Sequence, residues 1–185
     1  MKNTIATLLV AVSTFAVAAN ANAENSFKPY VGVDYNYDNG NANNYNSASV
    51  NVGTQFNDYF GTEVFYQQSD SDVKTYDYAR QQTRKFNAYG IDFNGYLPMG
   101  CEQEFALIGS VGVGEYDFNT GYNVAAVANN RDHGIGYRFG LGGLYNINNN
   151  VALKAMARYV KFNKLADETE ATDMMEYTAG VRYNF

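Results

Sequence analysis

From Tyr30 onward the chain is ordered by a two-residue period, the mark of strands whose two faces meet different surroundings. In the run 30–37, Val31, Val33, Tyr35 and Tyr37 share one face, while Tyr30, Gly32, Asp34 and Asn36 share the other. The scheme recurs in 48–56, 60–67, 89–97, 107–114, 136–145, 151–159 and 177–185. In 89–97, for example, Tyr89, Ile91, Phe93 and Leu97 oppose Gly90, Asp92, Asn94 and Tyr96. After residue 23 no apolar run is long enough for a spanning helix. The pattern therefore predicts an all-β chain of eight strands.

The connections alternate in length. Residues 57–59, 98–104 and 146–150 read as brief turns, and 38–47, 69–85, 117–132 and 163–175 as long polar loops, which puts all the long loops at one end. A two-sheet sandwich would bury its apolar face and show solvent a second face dense in Lys and Glu. Here the second face is mostly Gly, Ser, Asn and Gln with a few charges, which suits a narrow barrel interior where side chains must fit against one another. The aromatic residues cluster at strand ends on the apolar face, as the girdles of a transmembrane barrel do. The predicted fold is an eight-stranded antiparallel transmembrane up-and-down β-barrel.

The N-terminal segment supports export. Lys2 precedes an apolar stretch from Ile5 to Ala18, and Ala21-Asn22-Ala23 supplies small residues for cleavage, so residues 1–23 read as a signal peptide and 24–185 as the barrel. Composition then removes whole classes of function. With 13 Lys and Arg against 19 Asp and Glu, the formal charge of −6 gives no basic footprint for nucleic acid. One Cys and one His allow no intramolecular disulfide and no thiolate-rich metal site. No cofactor is expected.

The last strand carries the most specific motif. Thr178-Ala179-Gly180-Val181-Arg182-Tyr183-Asn184-Phe185 places a polar residue, a glycine and two alternating aromatics in order. This resembles the C-terminal insertion signal of bacterial outer-membrane proteins, carried by Thr178, Gly180, Tyr183 and Phe185. Physically, the closing strand must pair with the first, because an open edge in lipid leaves backbone groups without partners. Residues 31–37 and 179–185 match in character, with Asp34 in one where Arg182 stands in the other. Over residues 24–185 the chain is similar to the family of small outer-membrane barrels that includes the OmpA membrane domain, OmpX and Ail-type proteins. The resemblance implies outer-membrane lipid, lipopolysaccharide and the barrel assembly machinery as partners, with a surface ligand or host protein at the loops. As nothing follows Phe185, no peptidoglycan-binding domain is expected.

Several residues remain as candidate chemistry. Asp34, Glu63 and Asp92 are predicted to face Arg138, Lys154, Arg158 and Arg182 in the lumen, as a paired network that fills it or as a gated path selecting anions. Asp132 and His133 form the one pair that could start a general base, with Ser110 expected in the lumen. The fourth long loop offers Asp167, Glu168, Glu170 and Asp173 to a divalent cation, but without a fixed calcium spacing, so a solvated acidic loop is the preferred reading. The second carries Asp70, Asp72 and Asp77 with Lys74, Arg80, Arg84 and Lys85; its basic end suits anionic lipopolysaccharide, and a mobile loop with no partner accounts for it equally. Cys101 reads as a free thiol. The expected function is a non-enzymatic surface protein for adhesion or envelope integrity, with a small pore as the alternative and a lipid A enzyme as the third.

Overall fold

The computed structural model describes residues 27–40, 44–76, 80–100, 104–122, 130–163 and 172–185. Its strands are β1 (Lys28–Gly40), β2 (Asn44–Gln55), β3 (Phe60–Ser69), β4 (Asp72–Tyr76), β5 (Arg80–Met99), β6 (Phe105–Tyr122), β7 (Asn130–Asn146), β8 (Val151–Asn163) and β9 (Asp173–Asn184). Every neighbour pair is antiparallel. β3 and β4 both pair with β5, so they are two parts of one strand interrupted at Asp70 and Ser71. The result is a closed eight-stranded barrel. Closure is made by β1 on β9, from Tyr30 opposite Asn184 to Gly40 opposite Met174. Phe185 N adds a bond to Pro29 O at 3.0 Å.

The short turns are set by asparagine. Asn57 Oδ1 accepts from the amides of Tyr59 and Phe60, both at 2.8 Å, and Asn148 Oδ1 accepts from Asn150 and Val151 at 2.9 and 2.8 Å. An Asn side chain that imitates a backbone turn in this way fixes a tight reversal. The third turn passes through Gly100, whose φ of 89° is open to glycine.

At the other end the sequence expectation needs correcting. The segments read as loops are largely strand: β5 starts at Arg80, β6 runs to Tyr122, β7 starts at Asn130, and β4 occupies part of the expected second loop. β5, β6 and β7 have 20, 18 and 17 residues, whereas about 9–11 suffice to cross a bilayer. Backbone ladders continue there without an apolar outward face, and an apolar outward face was the signal sought. The proposed leader and Cys101 lie outside the described residues.

The outward face is strongly apolar through most of the wall. Val33, Tyr35, Val50, Phe93, Val111, Phe139, Leu141 and Val181 are all exposed. A surface of this kind needs hydrocarbon around it. Toward the long-strand end, Tyr37, Tyr89, Tyr137, Tyr159 and Tyr177 form a girdle; toward the short turns the ring is richer in Phe, with Phe27, Phe56, Phe60, Phe105 and Phe185.

Candidate functional site

Among the described residues the lumen is built from inward positions of β1–β3 and β5–β9, and it is layered. Near the short turns, Arg182 is held entirely by neutral groups. Its guanidinium lies 3.6 Å from the centre of the Tyr30 ring, and it donates to Gln55 Oε1 at 2.5 Å and Asn184 Oδ1 at 2.6 Å. Beside it Tyr96, Ala106, Ile108, Leu144, Ala152 and Met156 make an apolar floor.

Two ionic clusters sit above the floor. Lys154 Nζ lies 2.8 Å from Asp34 Oδ2 and 3.3 Å from Glu63 Oε1. Asn51 donates to Asp34 at 2.7 Å, and Tyr30 donates to Glu63 at 3.1 Å. In the second cluster Glu176 Oε1 takes Arg158 at 2.7 Å and Arg138 at 3.2 Å, while Asp92 lies 3.4 Å from Arg138 and 3.9 Å from Arg158. The Arg138 guanidinium also rests 3.7 Å from the centre of the Phe65 ring. All these charged side chains are buried. Two guanidiniums around one carboxylate make each charge the counterion of the next, which buried ions require.

Of the seven lumen charges named from the sequence, Asp34, Glu63, Asp92, Arg138, Lys154 and Arg158 lie in these two clusters and Arg182 lies apart at the floor; the set is incomplete. Glu176 and Asp38 are also buried, at 1% and 0% exposure, and both had been assigned to long loops or their edges. Asp38 accepts from Ser47 at 2.5 Å and from Gln67 at 3.3 Å. The signal was available: Asp38 lies two residues past Asn36, and Glu176 two before Thr178, on the same alternating face. With them the described lumen holds five carboxyl groups, Asp34, Asp38, Glu63, Asp92 and Glu176, and four basic side chains.

Glycine makes the room for these ions. At Gly180 a Cβ would fall on Asp34 Oδ1 and come within 2.8 Å of Val33 O, and at Gly112 it would fall on Asp92 Oδ1. Each carboxylate occupies the space that the neighbouring strand leaves empty.

Above the chamber is a roof that the sequence reading did not anticipate. Phe86, Ala88, Tyr116, Phe118, Val160, Phe162 and Met174 pack with Phe65 as one cluster, with Tyr45 against it. The rings meet edge to face, Tyr116 on Phe162 at 5.0 Å and Phe118 on Phe162 at 5.6 Å. On the same strands the outward positions have turned polar: Lys85, Glu115, His133, Lys161 and Asn163 are exposed. Tyr89 donates to Glu115, and Tyr159 donates to Asp173 at 3.2 Å. The phase of the amphipathic pattern is inverted across the tyrosine girdle. The strand ends therefore form a collar with its own apolar core.

The remaining candidates disperse. His133 is exposed and Asp132 half-buried on the same strand. Successive strand residues point to opposite faces, so the two do not form a base pair. Ser110 is buried in the lumen, seven residues from the rung that places Asp117 opposite His133. In the C-terminal motif, Thr178 is buried and bonded to Asn36 at 2.9 Å, whereas Tyr183 and Phe185 are exposed and meet edge to face at 5.4 Å. Asp167, Glu168 and Glu170 lie outside the described residues. Among the described residues no group of three metal-ligating side chains occurs.

Comparison with known proteins agrees with this architecture. The family model described as outer membrane protein beta-barrel domain matches residues 7–185. Neisserial surface protein A has a solved structure similar to the chain with a TM-score of 0.67 at 16% identity, covering 86% of this chain and 97% of that one. Ail, the attachment invasion locus protein of Yersinia pestis, was solved in complex with the heparin analogue sucrose octasulfate. It matches with a TM-score of 0.58 at 13% identity, over 86% of this chain and 97% of Ail. The N-terminal barrel of Pseudomonas aeruginosa OprF gives 0.58 at 14% identity, over 84% and 97%. No curated protein sequence matches. With an apolar wall, girdles at both ends and a family model spanning nearly its whole length, the chain belongs to the outer membrane protein β-barrel domain family and resides in the bacterial outer membrane.

Proposed function

We propose that this protein is a non-conducting, non-enzymatic barrel that acts through its outer end, in surface contact or envelope integrity. The observation that carries the reading is the roofed, ion-paired lumen beneath strands that continue past the girdle. A small barrel leaves an interior just wide enough for side chains, and here that interior is filled from floor to roof. The separation of His133 from Ser110 and Asp132 supports the absence of catalysis. Neisserial surface protein A and the attachment protein Ail, which share the fold, make adhesion the first activity to examine. We assign Thr178, Gly180, Tyr183 and Phe185 to recognition by the barrel assembly machinery.

Two measurements test the reading. Purified, refolded protein in a planar bilayer should pass no steady current in symmetric salt. Cells carrying a variant trimmed above the girdle should retain the barrel and lose attachment. Steady openings altered by Arg158→Ala would replace the proposal with a narrow pore.

A further inference from the structure

One rung past the outward pair Tyr37 and Tyr177 of the girdle, β1 and β9 set Asp38 directly opposite Glu176. Both side chains point inward and are buried. Like charges facing each other across a rung repel, and burial removes the water that would screen them. The two carboxyl groups are supported differently. Glu176 has Arg158 at 2.7 Å and Arg138 at 3.2 Å. Asp38 accepts from neutral groups, Ser47 at 2.5 Å and Gln67 at 3.3 Å, and takes part in no ion pair among the described residues.

The other groups that face this rung do not supply a spare cation. Arg158 on β8 and Arg138 on β7 are already shared by Glu176 and by Asp92 of β5, two cations for two carboxylates. β6 brings the phenol of Tyr116, β2 that of Tyr45, and β3 the amide of Gln67. Across the described lumen, five carboxyl groups exceed four basic side chains by one, so a single proton makes the interior neutral. An isolated buried carboxylate is far costlier than a neutral acid, and among these five Asp38 is the one without a cation.

The rung also lies against the roof. Tyr45 stands opposite Asp38 on β2, and Met174 is the next inward residue beyond Glu176 on β9. A charge on Asp38 would draw water beneath these two side chains.

We propose that Asp38 keeps a proton at neutral pH and acts as a latch for the roof. The neutral acid lets β1 and β9 close face to face; at alkaline pH its O–H bond breaks, the proton passes to hydroxide to give water, and the carboxylate left opposite Glu176 loosens the roof at Tyr45 and Met174. The inference goes beyond the surface role above and does not depend on it. Between the pH at which an unfolded aspartate ionises and that at which Asp38 does, the folded chain holds one proton more than the unfolded one. Raising the pH through that window therefore favours unfolding, by about tenfold per pH unit.

The test compares the refolded full chain in detergent with Asp38→Asn, a neutral isostere with no proton to lose. At neutral pH the infrared spectrum of the unaltered chain should contain the C=O stretch of a protonated carboxyl group, missing from Asp38→Asn and lost reversibly as the pH is raised. Its unfolding equilibrium in urea should rise with pH relative to that of Asp38→Asn, by about tenfold per unit. At one alkaline pH, the amides of 44–46 and 174–176 should exchange hydrogen faster in the unaltered chain than in the variant. A neutral-pH spectrum without a protonated carboxyl stretch overturns the proposal. So does a stretch that persists in Asp38→Asn, which gives the proton to another residue, and so do parallel stability profiles. If Asp38→Asn does not fold, the unaltered chain decides alone. Loss of the stretch and loss of protection at 174–176, corrected for intrinsic exchange, should then share one pH midpoint; protection lost while the stretch remains would overturn the latch.

Discussion

The wall below the tyrosine girdle and the collar above it are made from the same strands with opposite chemistry. On β6, Val111 and Val113 point outward with Ser110 and Gly112 inside; four residues on, Glu115 and Asp117 point outward with Tyr116 and Phe118 inside. On β8 the same change separates Leu153 outside and Arg158 inside from Lys161 outside and Phe162 inside. Hydrogen bonding is continuous through the change, so the ladder does not decide which face is apolar. The surroundings do: hydrocarbon selects apolar residues outside, while water drives them inward. The two regions therefore should respond oppositely to the same substitution.

The largest effect is expected at the seam, where Glu176 supports the ions below the roof. Glu176→Ala leaves Arg138 and Arg158 with only Asp92, at 3.4 and 3.9 Å, in a site 3% exposed. Removing one member of a buried ionic group costs about 3–5 kcal/mol. The urea midpoint of the folded band on a gel should fall accordingly. A midpoint equal to that of the unaltered protein would show that the chamber tolerates an unpaired guanidinium and is wetter than its burial indicates. Glu63→Ala should act in the same direction with a smaller loss, because Lys154 keeps Asp34 at 2.8 Å.

A matched pair of lysines divides the regions more directly. Val111→Lys puts a cation on the apolar wall and should cost about 2–4 kcal/mol if that position lies near mid-bilayer. Asn119→Lys makes the same charge eight residues along the strand, on the collar, and should change stability by no more than about 0.5 kcal/mol. Equal losses at both sites would remove the distinction between wall and collar.

The sequence displayed the wall far better than the collar. Alternation marked all eight spans because, in the wall, the two faces differ sharply and every second residue reports its face. The facing of Asp34, Glu63, Asp92, Arg138, Lys154, Arg158 and Arg182 follows from that period. Beyond the girdle, the outward Lys85, Asn87, Asp117 and Asn119 interrupt the apolar face, so 69–85 and 117–132 read as loops although strands occupy much of both. Phe86, Tyr116, Phe118 and Phe162 keep the period but in opposite phase, and a search for inversion rather than loss of alternation finds them. Glu176 keeps the wall's own phase, two residues before Thr178, and was missed because it borders the segment read as the fourth long loop. Which cation meets which carboxylate was not legible, because those pairings join strands far apart in sequence, as Lys154 and Glu63 are.

Packing in the wall is tested by Gly180→Ala. Its added methyl would meet Asp34 and the Val33 carbonyl, and overfilling a packed interior costs about 1–3 kcal/mol. An equivalent loss should not follow at Gly95, where a Cβ would meet nothing nearer than 3.8 Å. If Gly180→Ala were as harmless as Gly95→Ala, the carboxylate would have room to move, and the chamber would be looser than its geometry.

The gentlest test moves no charge and locates the boundary itself. The chain contains no Trp, so single tryptophans placed outward on β6 report only their own position. Val111→Trp and Asn119→Trp stand eight residues apart, about 27 Å along a strand rising about 3.4 Å per residue. Allowing for a strand tilt of about 35–45°, they differ by roughly 20 Å in depth. Brominated lipid tails should quench the first strongly and the second hardly at all, while soluble acrylamide should do the reverse. Both substitutions fall on outward positions, so the barrel should fold with its midpoint nearly unchanged. Strong lipid quenching at residue 119 would submerge the collar, and the inverted pattern would then have to come from protein contacts rather than from water. Protection of both sites from lipid would instead move the hydrocarbon toward the phenylalanine-rich end. Only quenching that changes between Val113 and Asp117 agrees with a boundary at the bonded pair Tyr89 and Glu115, where the outward face first acquires a charge.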